Sequence, residues 1–212
     1  MTWSLSELEE HLLIGSTLVE GSTFSEDEAR QILAGRTISG HSVHEAAELL
    51  NYRAATAWLI TELQASPYLS VDLVTGFHAR LMNGLSDQAG RLKTHANHTI
   101  RSDGTRHDYL AVSKVPDALR EWVVAFNERQ GPAPAADCAW LYARFQAIHP
   151  FDDGNGRIGR ILMSYWLHWK HAHWLRFVAA DKVAHLRAIE ASDGDELSDL
   201  ERFFAARISP SP

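Results

Sequence analysis

Apolar residues recur at helical spacing along most of the chain. Leu119, Trp122, Val123 and Phe126 fall at i, i+3, i+4 and i+7 ahead of a Gly131-Pro132 stop, and Trp140, Leu141, Phe145 and Ile148 continue the pattern. Ile158, Ile161, Leu162, Tyr165, Trp166 and Trp169 then form an apolar face wide enough for a deeply buried helix, with weaker periodicity over 181–192 and 197–207. Upstream, Ser6-x-x-Glu9, Ser25-x-x-Glu28 and Ser42-x-x-Glu45 each spell a capping box, where hydroxyl and carboxylate satisfy orphan backbone donors at a helix start. Gly21, Gly35 and Gly84 stand where such helices need a left-handed residue to end. These signals predict helices near 6–20, 26–34, 43–65 and 71–83, and a mainly α fold.

One stretch breaks the helical period. Thr99-Ile100-Arg101 and Thr105 to Tyr109 read as two short strands around Ser102-Asp103-Gly104, an exposed β-hairpin or else a plain surface loop. A lone hairpin is marginal in water, so another element must hold it or use it, and its open edge could accept an extended chain.

Composition narrows the class without naming it. A chain of 212 residues is expected to fold as one domain, without repeats or a Pro/Ser-rich linker. The net charge of −7 argues against nucleic acid as a partner. No apolar run approaches the roughly 18 residues of a membrane span, and the start lacks a signal-peptide pattern, so a cytoplasmic protein without membrane contact is expected. The single Cys138 supports neither a disulfide scaffold nor a thiolate metal site, and its expected place is the core.

The chemistry concentrates in His149-Pro150-Phe151-Asp152-Asp153-Gly154-Asn155-Gly156-Arg157-Ile158-Gly159-Arg160, between two predicted helices. Gly154 and Gly156 allow close backbone approach to a ligand, and Asn155 tolerates unusual dihedrals while offering an amide where the next helix begins. Free N–H groups at that helix start suit an anion, phosphate above all. Arg157 and Arg160, three apart, are expected to share a face and clamp phosphate oxygens, an arrangement that opposes the helix dipole unless an anion compensates. Asp153 would repel phosphate without a hard divalent cation such as Mg²⁺ between them, although composition does not choose between it and Asp152. His149 carries the side-chain type whose ordinary pKa lies near neutrality, which suits the removal of a proton from an attacking hydroxyl.

This string resembles the Fic-family motif HPFx[D/E]GNGRxxR at every fixed position. The resemblance implies a Fic-type helical bundle with one short β-hairpin, the flap, beside the active site. It also implies transfer of AMP from ATP to a Ser, Thr or Tyr hydroxyl of a target protein, with release of pyrophosphate. His149 would be the base and Asp153 the Mg²⁺ ligand. Gly154, Asn155 and Gly156 would form the anion hole, with Arg157 and Arg160 on the β- and γ-phosphates. Gly90-Arg91 and the hairpin at about 97–109 resemble the flap that binds the target protein, and Gly35-Arg36-Thr37 resembles the start of the core. Ser16-Thr17-Leu18-Val19-Glu20-Gly21 is similar to the inhibitory motif [S/T]xxxE[G/N], which makes residues 1–24 an inhibitory segment ahead of a core at 35–208 within a single domain. Glu20 at a helix C-terminus meets the negative dipole end at a cost of about 0.3–1 kcal/mol, which a guanidinium would offset. The resemblance nominates Arg160; the bland reading is a solvated helix-end glutamate.

Two other functions stay open: removal of AMP, with Glu20 orienting water, and a nucleotide-binding regulatory module without catalysis. Auto-modification and a homodimer through antiparallel helices are further expectations. His168-x-x-His171-x-His173 lacks a companion carboxylate or thiol and reads as dipole-favoured helix-end histidines before a metal site. His95, His98 and His107 flank the hairpin, and the tryptophans read as core or core edge. Val183 to Asp195 resembles the family's adenine-facing helix, but His185-Leu186 replaces frequent tyrosines and Asp193 an often-Asn position.

Overall fold

A computed structural model describes residues 4–192 and 196–210. The N-terminal helix predicted over 6–20 is a continuous run of α1 (Leu5–Leu8), a π-helical turn at Glu9–Leu13, and α2 (Ile14–Glu20). Its cap is Ser4, which accepts from the Glu7 N–H; the Ser6/Glu9 box does not form, and Glu9 instead accepts from Arg53. The other two boxes form as written, opening α3 (Glu26–Leu33) and α4 (Val43–Ala65). Gly21, Gly35 and Gly84 all take positive φ.

The rest follows the predicted order. α5 (Val71–Leu81) leads into strands β1 (His98–Ile100) and β2 (Arg106–Asp108), antiparallel with Thr99 opposite His107. Prolines open α6 (Val115–Glu128) and α7 (Pro134–Ile148), where a missing N–H costs nothing. α8 (Asn155–His171) is buried almost all round along its first three turns and forms the axis against which α7, α5 and α2 pack. The Trp122 indole donates to Leu141 O at 2.8 Å and ties α6 to α7. After α8 come β3 (His173–Leu175), α9 (Lys182–Ala191), α10 (Ser198–Ala205) and β4 (Ile208–Pro210). The β3–β4 pair was not expected from the sequence: three residues per strand are too few for a period-2 signal.

Two apolar clusters hold these elements. The larger runs from α1 through α8 to α10; the smaller joins α2, α3 and α4 through Ile14, Leu18, Phe24, Ile32 and Leu49. α2 is pressed against the segment after β3, where a Cβ on Gly15 would lie 1.8 Å from Phe177 O, so this approach requires glycine. That contact places Ser16 and Glu20 over the start of α8.

Candidate active site

α7 ends at His149, which takes a left-handed conformation (φ 46°, ψ 64°), uncommon without glycine but tolerated by histidine. The turn that follows is built by its own side chains. Phe151 is buried and stacks on His78, 3.9 Å between ring centroids. Asn155 Oδ1 accepts from Phe151 N at 3.0 Å while its Nδ2 donates to Phe151 O at 2.8 Å. The Asn155 amide therefore shapes the loop. Gly154 caps α8 at φ 79°, a left-handed conformation that glycine takes without strain, and a Cβ there would lie 3.1 Å from Leu81 Cδ2.

A cavity of about 430 Å³ opens over the first turn of α8, lined by His149, Gly156, Arg160 and Glu20, with Tyr109 from the flap and Ile189 from α9. Glu20 lies across the helix start: a Cβ on Gly156 would sit 2.2 Å from Glu20 Oε1. A carboxylate thus occupies the position where free backbone donors and the helix dipole favour an anion.

The two arginines go to different partners. Arg160, 1% exposed, donates from Nε to Ser16 Oγ at 2.7 Å, from Nη2 to Ser16 O at 3.2 Å, and from Nη2 to Glu20. Burial pulls its pKa down, but Glu20 foremost among its neighbours more than offsets this and holds it raised. Tyr52, pushed up to about 12 by burial, bonds Ser16 Oγ and donates to Arg157 O. Arg157 does not line the cavity; it pairs with Glu48 of α4 at 2.9 Å and with Asp153 at 3.2 Å. A spacing of three leaves neighbouring side chains about 60° apart on the helix, enough for long ones to diverge.

Asp153 is largely exposed, its Oδ1 accepting from Gly154 N at 2.6 Å and its Oδ2 from Arg157. Each oxygen keeps a lone pair, so the carboxylate fits Mg²⁺ as one oxygen donor with phosphates supplying others. Asp152 faces His95 instead, 3.5 Å away.

The hairpin is held at both ends. Ser102 at its tip donates from N to Glu190 Oε1 of α9 at 2.8 Å and from its hydroxyl to Oε2 at 2.5 Å. At its base, Tyr109 stacks on His149, 3.7 Å between centroids and 11° from parallel. Burial, followed by the Lys93 charge, lowers His149 to about 4, which leaves the imidazole neutral at pH 7. His78 is lowered to about 4 by burial as well, and its Nδ1 accepts from Gly90 N. His78, Lys93, Tyr109, Tyr52 and Glu48 carry no signal in the sequence: each is an ordinary residue type at an ordinary spacing, brought to the site by tertiary packing.

His168 and His171 pack on Trp174 and Trp166, and the described residues contain no group of three metal-ligating side chains. Cys138 is buried, as are Trp122, Trp166 and Trp174, but Trp140 lines the cavity. His107 faces the cavity with Arg101, whereas His98 is on the exposed side of β1. His185 is buried against the Tyr142 hydroxyl at 2.9 Å; Asp193 lies outside the described residues. Among the described residues, no helix is long and apolar enough to cross a membrane.

Residues 68–167 match the Fic/DOC family. A curated relative, "Protein adenylyltransferase fic-1" of Caenorhabditis elegans, is 28% identical over 152 residues, which cover 69% of this chain but 29% of that protein. The chain thus spans about a third or less of such relatives' length. Among solved structures, a Fic domain containing signaling protein from Bacteroides thetaiotaomicron superposes with a TM-score of 0.82 at 20% identity, covering 95% of this chain and 81% of the other. The N-terminal Fic domain of a putative cell filamentation protein from Bartonella quintana, solved with bound ADP, gives 0.57 at 17% identity over 77% and 86%. The helical bundle and its flap are those of the Fic fold, and the chain carries a domain of the Fic/DOC family.

Proposed function

We propose that the protein is a self-inhibited adenylyltransferase that moves AMP from ATP to a Ser, Thr or Tyr hydroxyl of a target protein held along the flap. The observation that carries this reading is a neutral imidazole and an anion site facing one cavity, the anion site filled by the chain's own Glu20 carboxylate. With Glu20 withdrawn, the N–H groups at the start of α8 and the Arg160 guanidinium bind the terminal phosphates of the nucleotide. His149 takes the proton of the target hydroxyl as its oxygen attacks the α-phosphorus. The bond from that phosphorus to the bridging oxygen breaks, and pyrophosphate leaves with the electron pair. Asp153 would hold Mg²⁺ together with phosphate oxygens, and the ion would supply charge neutralisation there. Gly154 and Asn155 act by shaping the turn, and Arg157 by orienting Asp153.

Glu20 inhibits by holding Arg160 and the helix start together, so that ATP enters without the grip that aligns its α-phosphate. A 99:1 preference for this state needs only about 2.7 kcal/mol. The test is transfer of labelled nucleotide from ATP to protein, the chain itself included. Glu20→Gly raises labelling and His149→Ala removes it; tight nucleotide binding with no turnover in either Glu20 form would instead make the protein a regulatory module, and removal of AMP that depends on Glu20 would reverse the reaction.

A further inference from the structure

An imidazole that works as a base is ordinarily oriented by a carbonyl or carboxylate on its second nitrogen. For His149 the carbonyl that faces the ring is that of Gln146 in the last turn of α7, and no partner lies within hydrogen-bond geometry of its buried Nδ1 among the described residues. It also has an aromatic face, since the Tyr109 ring lies parallel to it at 3.7 Å. Tyr109 is itself fixed, donating from N to Asn97 O at 3.3 Å and taking the edge of His107 at 5.2 Å. Lys93, 3% exposed, completes the support. Its Nζ lies 5.8 Å from the Tyr109 ring and donates to Asn97 Oδ1 at 2.7 Å and Ile148 O at 3.4 Å, while its backbone N donates to Pro150 O at 2.9 Å. One lysine thereby ties the root of the flap to both neighbours of His149.

Resting on the transfer reading above, we propose that Tyr109 is a positioning residue for His149, its ring face setting the imidazole plane beside the Gln146 carbonyl. A stack of this kind fixes the ring torsion without touching the lone pair that accepts the proton. The imidazolium formed on proton transfer then rests on the phenol face, a cation–π contact that opposes its repulsion by Lys93. Lys93, Asp153, Glu20 and the Gln146 carbonyl are the other polar groups that face it. Because Tyr109 follows β2 directly, seating the flap and aligning the base are one event: a target that displaces the hairpin also unstacks the imidazole.

The test is made in a Glu20→Gly background, with melting curves to confirm folding. Tyr109→Phe keeps the ring face and keeps kcat within about threefold, whereas Tyr109→Leu lowers kcat about tenfold or more with the nucleotide KM little changed. Independently of turnover, the His149 ring protons lose their upfield ring-current shift in Tyr109→Leu and retain it in Tyr109→Phe. Unchanged ring shifts or an unchanged kcat in Tyr109→Leu overturn the positioning role alone, and so does a Phe variant as poor as Leu. Absence of transfer from the Glu20→Gly parent overturns the transfer reading, and this role falls with it.

Discussion

Arg157 and Arg160 leave α8 within one turn of each other, and the segments that meet them differ in kind. Arg157 reaches Glu48 on α4, a 23-residue helix in the scaffold, and Asp153 in the adjacent loop. Its Nε finds no partner among the described residues, so the charge depends on those two carboxylates. Arg160 has two bonds to Ser16 besides its contact with Glu20, and the Glu20 side chain is 41% exposed against 24% for Glu48. A buried guanidinium that loses half of an ion pair is costly when nothing replaces it. At Arg160 something can, because the space beside Gly156 already suits an anion. The first arginine is a brace; the second belongs to an exchangeable contact.

Removing the carboxylate from each pair is the largest test of that difference. Glu20→Gly is expected to raise transfer toward about 100-fold, the reciprocal of a 99:1 inhibited population. Glu48→Ala is expected to give no activation and to cost about 1–3 kcal/mol in chemical denaturation, because it strands a buried charge. Activation by Glu48→Ala, or none by Glu20→Gly, would erase the distinction.

Gly156 sharpens it at intermediate size. A methyl there collides with Glu20 Oε1 and approaches Arg160 Nη1 at 3.0 Å, although alanine suits a helix better than glycine by about 1 kcal/mol. Gly156→Ala should therefore destabilise the native chain and approach neutrality in Glu20→Gly. A double-mutant cycle measures the coupling, expected at about 1–2 kcal/mol. A coupling near zero would place Glu20 away from the helix start in solution.

The same contrast explains what the sequence made legible. Ser25/Glu28, Ser42/Glu45 and Gly21 act within a few residues of themselves, so their capping roles were readable, as was the run from His149 to Arg160 that makes one continuous turn. The Ser6/Glu9 box failed because an equally good cap, Ser4, lies two residues upstream, and local chemistry alone does not rank them. Tyr109, Lys93 and Glu48 were silent because their work is done 40 to 109 residues away in sequence. Asn155 was legible as special, but the loop that its amide closes on Phe151 was not, because both bonds go to backbone atoms that carry no residue-type signal.

Ser16 separates the parts that the Arg160 contact combines. Its hydroxyl accepts from Arg160 Nε and also meets the Tyr52 hydroxyl at 3.2 Å, so it belongs to the buried scaffold, while its helix carries Glu20 one turn further on. If the carboxylate is what excludes the phosphate, Ser16→Ala loosens the guanidinium without vacating the anion site. Transfer should then rise only a few-fold, with a stability loss of about 1 kcal/mol for the orphaned donor. In the Glu20→Gly background the expected sign reverses, because a guanidinium no longer steadied by Ser16 grips phosphate less well. Labelling rates for the four combinations decide the matter: activation by Ser16→Ala as large as that of Glu20→Gly would make the serine, not the carboxylate, the element that ATP must displace.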